Sequence, residues 1–287
     1  MYSAIRISES SYAIFDNRKE LHMYSFNPDE VRDKLVAGIQ KLSKEQGFHK
    51  VVIGISGGKD STVTAALCVR ALGKENVYGV MLPDGEQKDI QDSILVCKTL
   101  GIPHITVNIH EIHEDLLREI DFSNCEPDKE AFIVDYSKES DINIAPRLRM
   151  TVLRYITQAL GARLAGTGNL SESTVGYCTK DGDTSCDFSV LGALTSVEVV
   201  RVGLTMEELP KELVLKTPSD GLSGMPDEEK LGISYKKIHD YIRCINLIDV
   251  PSYQKITKMI GASAHKRKMP PIVYNPCDDM PDDGDLP

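Results

Sequence analysis

Residues 51–72 read VVIGISGGKDSTVTAALCVRAL. From Val51 to Ile55 the chain is apolar apart from Gly54, as in a strand covered on both faces, and from Asp60 to Leu72 it has the composition of a helix. Between them lies Ser56-Gly57-Gly58-Lys59-Asp60-Ser61. Small residues there let the backbone turn sharply and bring N–H groups close to an anion at a helix N-terminus, which makes a phosphate cradle. It is not the P-loop pattern, because counting five residues from Gly54 reaches Lys59, where that pattern needs a glycine ahead of its lysine. The dinucleotide fingerprint Gly-x-Gly-x-x-Gly is absent as well. An aspartate beside phosphate makes sense when it holds Mg²⁺, a hard cation that takes carboxylate and phosphate oxygens together.

Outward from this stretch the chain alternates. KVVIGIS (50–56), VYGVMLP (77–83), HITVNI (104–109) and ARLAGTGN (162–169) read as strands. DSTVTAALCVRAL (60–72), DIQDSILVCKTLG (89–101) and PRLRMTVLRYITQALG (146–161) read as helices, the last with Pro146 near its start and Gly161 at its end. Strands alternating with helices predict an α/β fold, a Rossmann-like doubly wound parallel sheet of about five strands. Residues 1–26 fit the pattern poorly and read as an added arm, 27–274 as the domain, and 275–287 as an acidic tail. The polar stretches 120–142, 180–190 and 216–231 read as loops gathered over the carboxyl ends of the strands, where ligands of such sheets bind.

Composition narrows the class. Of the 287 residues 41% are apolar and 26% charged, and no run approaches the roughly 18 apolar residues of a membrane span. The start MYSAIRISESSYAIFDNRKE lacks a basic segment followed by an apolar one, so the expectation is a cytoplasmic protein without membrane contact. Seven cysteines, with no Cys-x-x-Cys pair, read as free thiols. The net charge is -10, and the five aspartates between Asn275 and Pro287 supply half of it, which predicts a disordered tail. The remainder offers no basic face for nucleic acid. The histidines of HEIHED, His110 and His113, stand three apart without a third ligand and read as part of a surface helix.

The motif Ser-Gly-Gly-x-Asp-Ser is similar to the signature of the ATP pyrophosphatases, the adenine nucleotide alpha-hydrolase-like enzymes that adenylate a substrate oxygen and release pyrophosphate. Five further stretches follow it: NIAPRLRMTVLRY (143–155), AGTGNLSESTVGYCTKDGD (165–183), KTPSDGL (216–222), DEEKLGISY (227–235) and HKRKMPPIVY (265–274). With these the chain resembles the ammonia-dependent NAD⁺ synthetases from about Asn27 to Tyr274. The resemblance implies a ligase of NAD biosynthesis that joins ammonia to the nicotinate carboxylate of deamido-NAD⁺, through an adenylated intermediate, with ATP as co-substrate and Mg²⁺ as cofactor. Ammonia rather than glutamine is expected because the residues ahead of the matched region are too few for an amidase domain. A homodimer is implied, with the apolar stripe Leu148, Val152, Ile156 and Leu160 either its contact or internal core.

The same resemblance implies roles for single residues. Ser56, Gly57, Gly58, Lys59, Asp60, Ser61, Met81, Arg149, Thr167, Ser196 and Ser219 would bind ATP, and Arg147, Lys180, Asp187, His265 and Lys266 deamido-NAD⁺. Asp60 and Glu172 would hold the metal, and Asp60, Lys180 and Asp187 would be catalytic. Arg147 and Arg149, two apart on a helix, point about 200° from each other and should not share a ligand atom. Two departures stand out: Asp181 where relatives carry tyrosine, and Ser196 where many carry an ATP-contacting lysine. They support an alternative, a catalytically weakened nucleotide-binding homodimer; another adenylating ligase with the same signature is a further one. With lysine missing at 196, Lys59 is expected to supply charge to the phosphates, unless it is a solvated residue at a helix start.

Overall fold

The computed structural model describes residues 2–8, 11–16, 24–87, 89–120, 138–218, 225–246 and 248–268. Ser219, the acidic tail and much of the stretches 120–142 and 216–231 lie outside the described residues. In chain order the first elements are β1 (Tyr2–Ser8), β2 (Ser11–Asp16), α1 (Pro28–Gln46), β3 (Val51–Gly54), α2 (Lys59–Leu72), β4 (Val77–Met81), α3 (Ile90–Leu100), β5 (His104–Thr106) and α4 (His110–Glu119). There follow α5 (Lys138–Ile142), α6 (Ile144–Ala159), β6 (Arg163–Gly166), α7 (Leu170–Val175), β7 (Phe188–Ser189), α8 (Ser196–Gly203), α9 (Lys211–Val214), α10 (Asp227–Leu231), α11 (Tyr235–Arg243), β8 (Ile248–Asp249) and α12 (Val250–Ala262).

The central sheet has the order β5-β4-β3-β6-β7, and every pair in it is parallel. Alternation along β3 sends Val51 and Ile53 into one apolar cluster with Val63 and Leu67 of α2, Val96 of α3 and Val199 of α8. Val52 goes to the other face, with Val80, Leu164, and Ala145 and Leu153 of α6. Both faces are therefore covered, which is why β3 reads as a continuous apolar run. Leu148, Val152, Ile156 and Leu160 pack against this second cluster, so the apolar stripe of α6 is internal core.

Two expectations are corrected. The fifth strand, β7, lies inside the stretch 180–190 read as a loop, where Phe188 pairs with Ala165 and Ser189 with Gly166; two residues are too few to leave a readable pattern. The other two stretches read as loops each contain a short helix, Lys138–Ile142 (α5) within 120–142 and Asp227–Leu231 (α10) within 216–231. The N-terminal arm contains a hairpin: β1 and β2 are antiparallel, and β2 pairs antiparallel with β8, Tyr12 opposite Ile248. Behind the site a third cluster joins Val175 of α7, Tyr235 and Ile238 of α11 and Ile256 of α12.

One ionic tie crosses these layers. Thr195 and Glu198 form a capping box at the start of α8, each side chain taking the other's backbone N–H. Glu198, fully buried, also accepts from the Tyr24 hydroxyl at 2.7 Å and from Arg243 Nε and Nη2 at 2.7 and 2.6 Å. Burial disfavours its charge, yet the bonds from Arg243, Tyr24 and Thr195 prevail and hold its carboxyl below the ordinary value. With a lowered folded value, the stability it contributes is present above the ordinary carboxylate range and is lost as pH falls through that value. Arg243→Ala leaves the carboxylate buried without its cation and should lower the unfolding free energy in urea at neutral pH by about 3 kcal/mol or more, the gap narrowing in acid. A loss below about 1 kcal/mol would mean the tie is dispensable.

Candidate functional site

From β3 the chain builds outward through β4 to β5, then returns to lay β6 and β7 on the other side of β3. The carboxyl ends of β3 and β6 thus flank the topological switch point, where connections diverge and leave a crevice. A cavity of ≈ 610 Å³ opens there. Its wall includes Gly54, the last residue of β3, with Ile55, Ser56 and Gly58 to Ser61 of the β3–α2 turn, Leu82 beyond β4, Arg149 and Leu153 of α6, and Gly166 at the end of β6 with Thr167 and Gly168. Glu172, Tyr177, Asp183, Lys216, Asp227 and Lys266 belong to its polar part.

The β3–α2 turn is built by hydroxyls and glycines. The Ser56 N–H donates to Ser61 Oγ at 3.3 Å, the two serine hydroxyls lie 3.1 Å apart, and the Gly58 N–H reaches Ser56 Oγ at 3.3 Å. Gly57 has φ +74°, and a Cβ there would stand 2.8 Å from both Asp92 Cβ and the Ser93 nitrogen, so only glycine fits. Gly58 precedes α2 without a side chain to cap it. The first-turn N–H groups are left for another acceptor, and an anion satisfies that need.

Around the first turn of α2 charges converge. Lys59 is 3% exposed; its Nζ donates to Asp60 Oδ2 at 2.5 Å and sits 5.5 Å above the centre of the Tyr235 ring. Asn169 joins two carboxylates: its amide donates to Asp60 Oδ1 at 3.1 Å and its backbone N–H to Glu172 Oε2 at 3.1 Å. Burial first, and then the Asp60 carboxylate, push Glu172 well above its ordinary value. Asp227, hydrogen-bonded by Tyr177 and Tyr235 at 3.1 Å each, is raised by burial. Among the described residues no group of three or more His, Cys, Asp or Glu is arranged to hold a metal. The donor set fits a hard divalent cation that takes one or two carboxylates from the protein and its other oxygens from phosphates and water.

The family model described as NAD synthase matches residues 31–270. The chain belongs to the NAD synthase family. It is 32% identical over 253 residues to an NH(3)-dependent NAD(+) synthetase of Archaeoglobus fulgidus, covering 86% of this chain and 97% of that protein. Among solved structures, an NMN synthetase from Francisella tularensis matches with TM-score 0.77 and 29% identity over 86% of this chain and 99% of its own. An NH3-dependent NAD synthetase from Campylobacter jejuni, in complex with nitrate, matches with TM-score 0.67 and 25% identity over 87% of this chain and all (100%) of its own.

In this NAD synthase chain the cavity brings together Ser56, Gly58, Lys59, Asp60, Ser61, Arg149, Thr167, Glu172 and Lys266. Gly57 shapes the turn from behind, and Met81 is buried at the end of β4, 2% exposed. Arg149 Nε donates to the Leu82 carbonyl at 2.9 Å and Arg147 Nε to the Lys180 carbonyl at 3.3 Å, so the pair shares no partner, as helix geometry requires. Arg147, Lys180, Asp187, His265 and Ser196 are not part of the cavity wall. Asp187 instead accepts from Arg154 and from the Leu164 N–H at 2.7 Å, and these bonds, against burial, hold its carboxyl below the ordinary value. Ser196 is 3% exposed, its N–H on the Ser171 hydroxyl.

The Lys59 expectation changes. Its ammonium is neither solvated nor bare; it neutralises Asp60. Lys266 is no loose member of a basic patch, since it donates to the Gly176 and Cys178 carbonyls while Arg267 caps the end of α7 through the Ser173 and Thr174 carbonyls. His110 and His113 each point Nδ1 at Asp84, tying α4 to the loop after β4. Sequence reasoning missed Asp183, Asp227, Tyr177 and Tyr235. It also missed Asn169, although an Asn followed three residues on by Glu is a readable capping box.

Asp60→Asn keeps the size of the side chain and removes one of the two carboxylates that Asn169 joins. Binding of Mn²⁺ in the presence of nucleotide, followed by electron paramagnetic resonance, should weaken by about tenfold or more with the circular dichroism unchanged. Equal Mn²⁺ affinity in the variant would take Asp60 out of the cation site.

Proposed function

We propose that this chain is an ATP-dependent ligase that converts deamido-NAD⁺ and ammonia to NAD⁺, with release of AMP and pyrophosphate. The observation that carries the reading is the uncapped, glycine-turned start of α2, its Asp60 joined through Asn169 to Glu172, at a cavity at the switch point of the sheet. It is supported by a relative named for ammonia, 97% of whose length the chain covers.

A carboxylate is a poor acyl donor, so the nicotinate oxygen first displaces pyrophosphate from the α-phosphorus of ATP; ammonia then attacks the carbonyl and AMP leaves. The first turn of α2 with Ser56, Gly58 and Ser61 holds the pyrophosphate portion of ATP, donating N–H and O–H to its oxygens. Thr167, beyond β6, and Arg149 of α6, bonded to the Leu82 carbonyl, meet the rest of the nucleotide, with Met81 behind the wall near the adenine. Ser219 belongs to the same ATP set. Arg147, Lys180, Asp187, His265 and Lys266 serve the deamido-NAD⁺ side, Asp187 by fixing Arg154 and β6. Asp60 and Glu172 would hold Mg²⁺, which when bound supplies charge neutralisation to the phosphates. The chain's own task is to place two anions in contact and exclude water from the acyl phosphate.

The assembly we propose is a homodimer in the cytoplasm. Its support is an uncovered flank: all of β5 is exposed, Ile112 and Leu116 of α4 are 49% and 38% exposed, and Tyr155 of α6 is 75% exposed. No described helix is long and apolar enough to cross a membrane. The departures that favoured a weakened enzyme lie off the cavity wall. Asp181 sits at φ +63°, a conformation that aspartate tolerates, with its N–H on the Thr184 hydroxyl. A second acceptor, the nicotinate mononucleotide, is favoured by the likeness to a structure named NMN synthetase.

The test is a single-turnover assay with ATP, Mg²⁺ and either acceptor. Ammonium should yield the amide and AMP in equal amounts, glutamine should not replace it, and the rate should rise toward about pH 9 because only unprotonated ammonia is nucleophilic. Amide from the mononucleotide alone would select the second acceptor, and efficient use of glutamine by the purified chain would defeat the ammonia reading.

A further inference from the structure

Lys216, in KTPSDGL after α9, has no role in the site as described so far. Its Nζ donates to Asp89 Oδ2 at 2.8 Å and to Asp92 Oδ2 at 2.6 Å, at the start of α3. It lines the same cavity as the β3–α2 turn. Asp92 in turn packs against Gly57, the left-handed residue of that turn. Asp92, one of the two residues that hold the ammonium, thus lies beside the turn that would receive phosphate.

Three other cations among the described residues line the cavity, and each is held in place. Lys59 is buried against Asp60, Lys266 spans two backbone carbonyls, and Arg149 is bonded at the end of β4. Lys216 differs in its surroundings: its side chain is 27% exposed and each partner carboxylate 33%. Water can therefore take over both carboxylates when the lysine leaves, and partly solvated pairs of this kind are weakly held. Burial works against its charge, but Asp89 and Asp92 outweigh it and raise its pKa, so the resting lysine is an ammonium. An incoming polyphosphate offers more negative charge and more oxygens than the two carboxylates it would replace.

We propose that Lys216 is a polyphosphate-binding residue, whose ammonium passes from Asp89 and Asp92 to the β- and γ-phosphate oxygens of ATP. It brings to the cavity the positive charge that Ser196 lacks and that Lys59 has committed to Asp60. Asp89 and Asp92 act as its resting partners and keep it charged and aimed while the nucleotide is absent. The proposal rests on the ATP-dependent reading above.

Calorimetric titration of the full chain with ATP and with AMP, each with Mg²⁺, separates the two. Lys216→Gln should weaken ATP by about 10- to 100-fold and leave AMP, which lacks the β- and γ-phosphates, within about twofold. The double variant Asp89→Asn, Asp92→Asn keeps the lysine and removes its resting partners; it should bind ATP at least as tightly as the parent chain. Equal losses for ATP and AMP would overturn the proposal, as would an ATP affinity of Lys216→Gln within about twofold of the parent, or a double variant as weak as Lys216→Gln. Each of those results leaves the ligase reading standing. A parent chain that binds neither nucleotide would overturn the ligase reading and this proposal with it.

Discussion

An ammonium taken out of water is tolerable only when carboxylates meet it, and Lys59 satisfies that condition at the first turn of α2. Its partner Asp60 is linked through Asn169 to the β6–α7 connection, and the Tyr235 ring of α11 lies under the charge. Tyr235 in turn donates to Asp227 of α10. Three parts of the chain that are remote in sequence are thereby fixed against the start of one helix. That helix start is the anion cradle, so the group that stabilises the fold also sets the geometry of the site. Burial and the Asp60 carboxylate make Glu172 hold its proton, and a further cation beside them would favour its ionised form.

The sheet contributes shape more than chemistry. Gly54 and Gly166 end the two strands at the switch point, and Gly166 could not carry a larger side chain without loss. A Cβ on Gly166 would fall 2.6 Å from Cys186 Sγ, whereas one on Gly54 would meet Leu153 at 3.4 Å, an ordinary contact. Small residues at these two ends keep the crevice open, while Val51, Val52 and Ile53 between them seal both faces.

The parts legible in the sequence were those whose signal is local. β3 and the cradle could be read because a buried parallel strand is continuously apolar and a tight turn at a helix start needs glycine. The helix 144–159 could be read because its apolar stripe has a helical period. β7 could not, since two residues in a polar stretch carry no period. The environment of Lys59 was also illegible: it is created by α10 and α11 folding back on α2, and nothing near position 59 announces Tyr235 or Asp227. Ser196 shows the converse. Thr195 and Glu198 spell a capping box, and the serine between them is the first residue of a buried helix start rather than a residue of the cavity.

The N-terminal hairpin lies outside residues 31–270, which the family shares, yet it completes a sheet with β8 near the other end of the chain. β2 must therefore wait for a strand made 236 residues later, Tyr12 opposite Ile248. Until then β2 presents an unpaired edge, a surface on which nascent chains can associate wrongly. Contacts of such separation slow folding because their loop must close before they contribute any stability. The Tyr24–Glu198 bond has the same character, its ends 174 positions apart. Synthesis order thus imposes on this chain a late closing step, in which the hairpin docks onto β8 just ahead of α12.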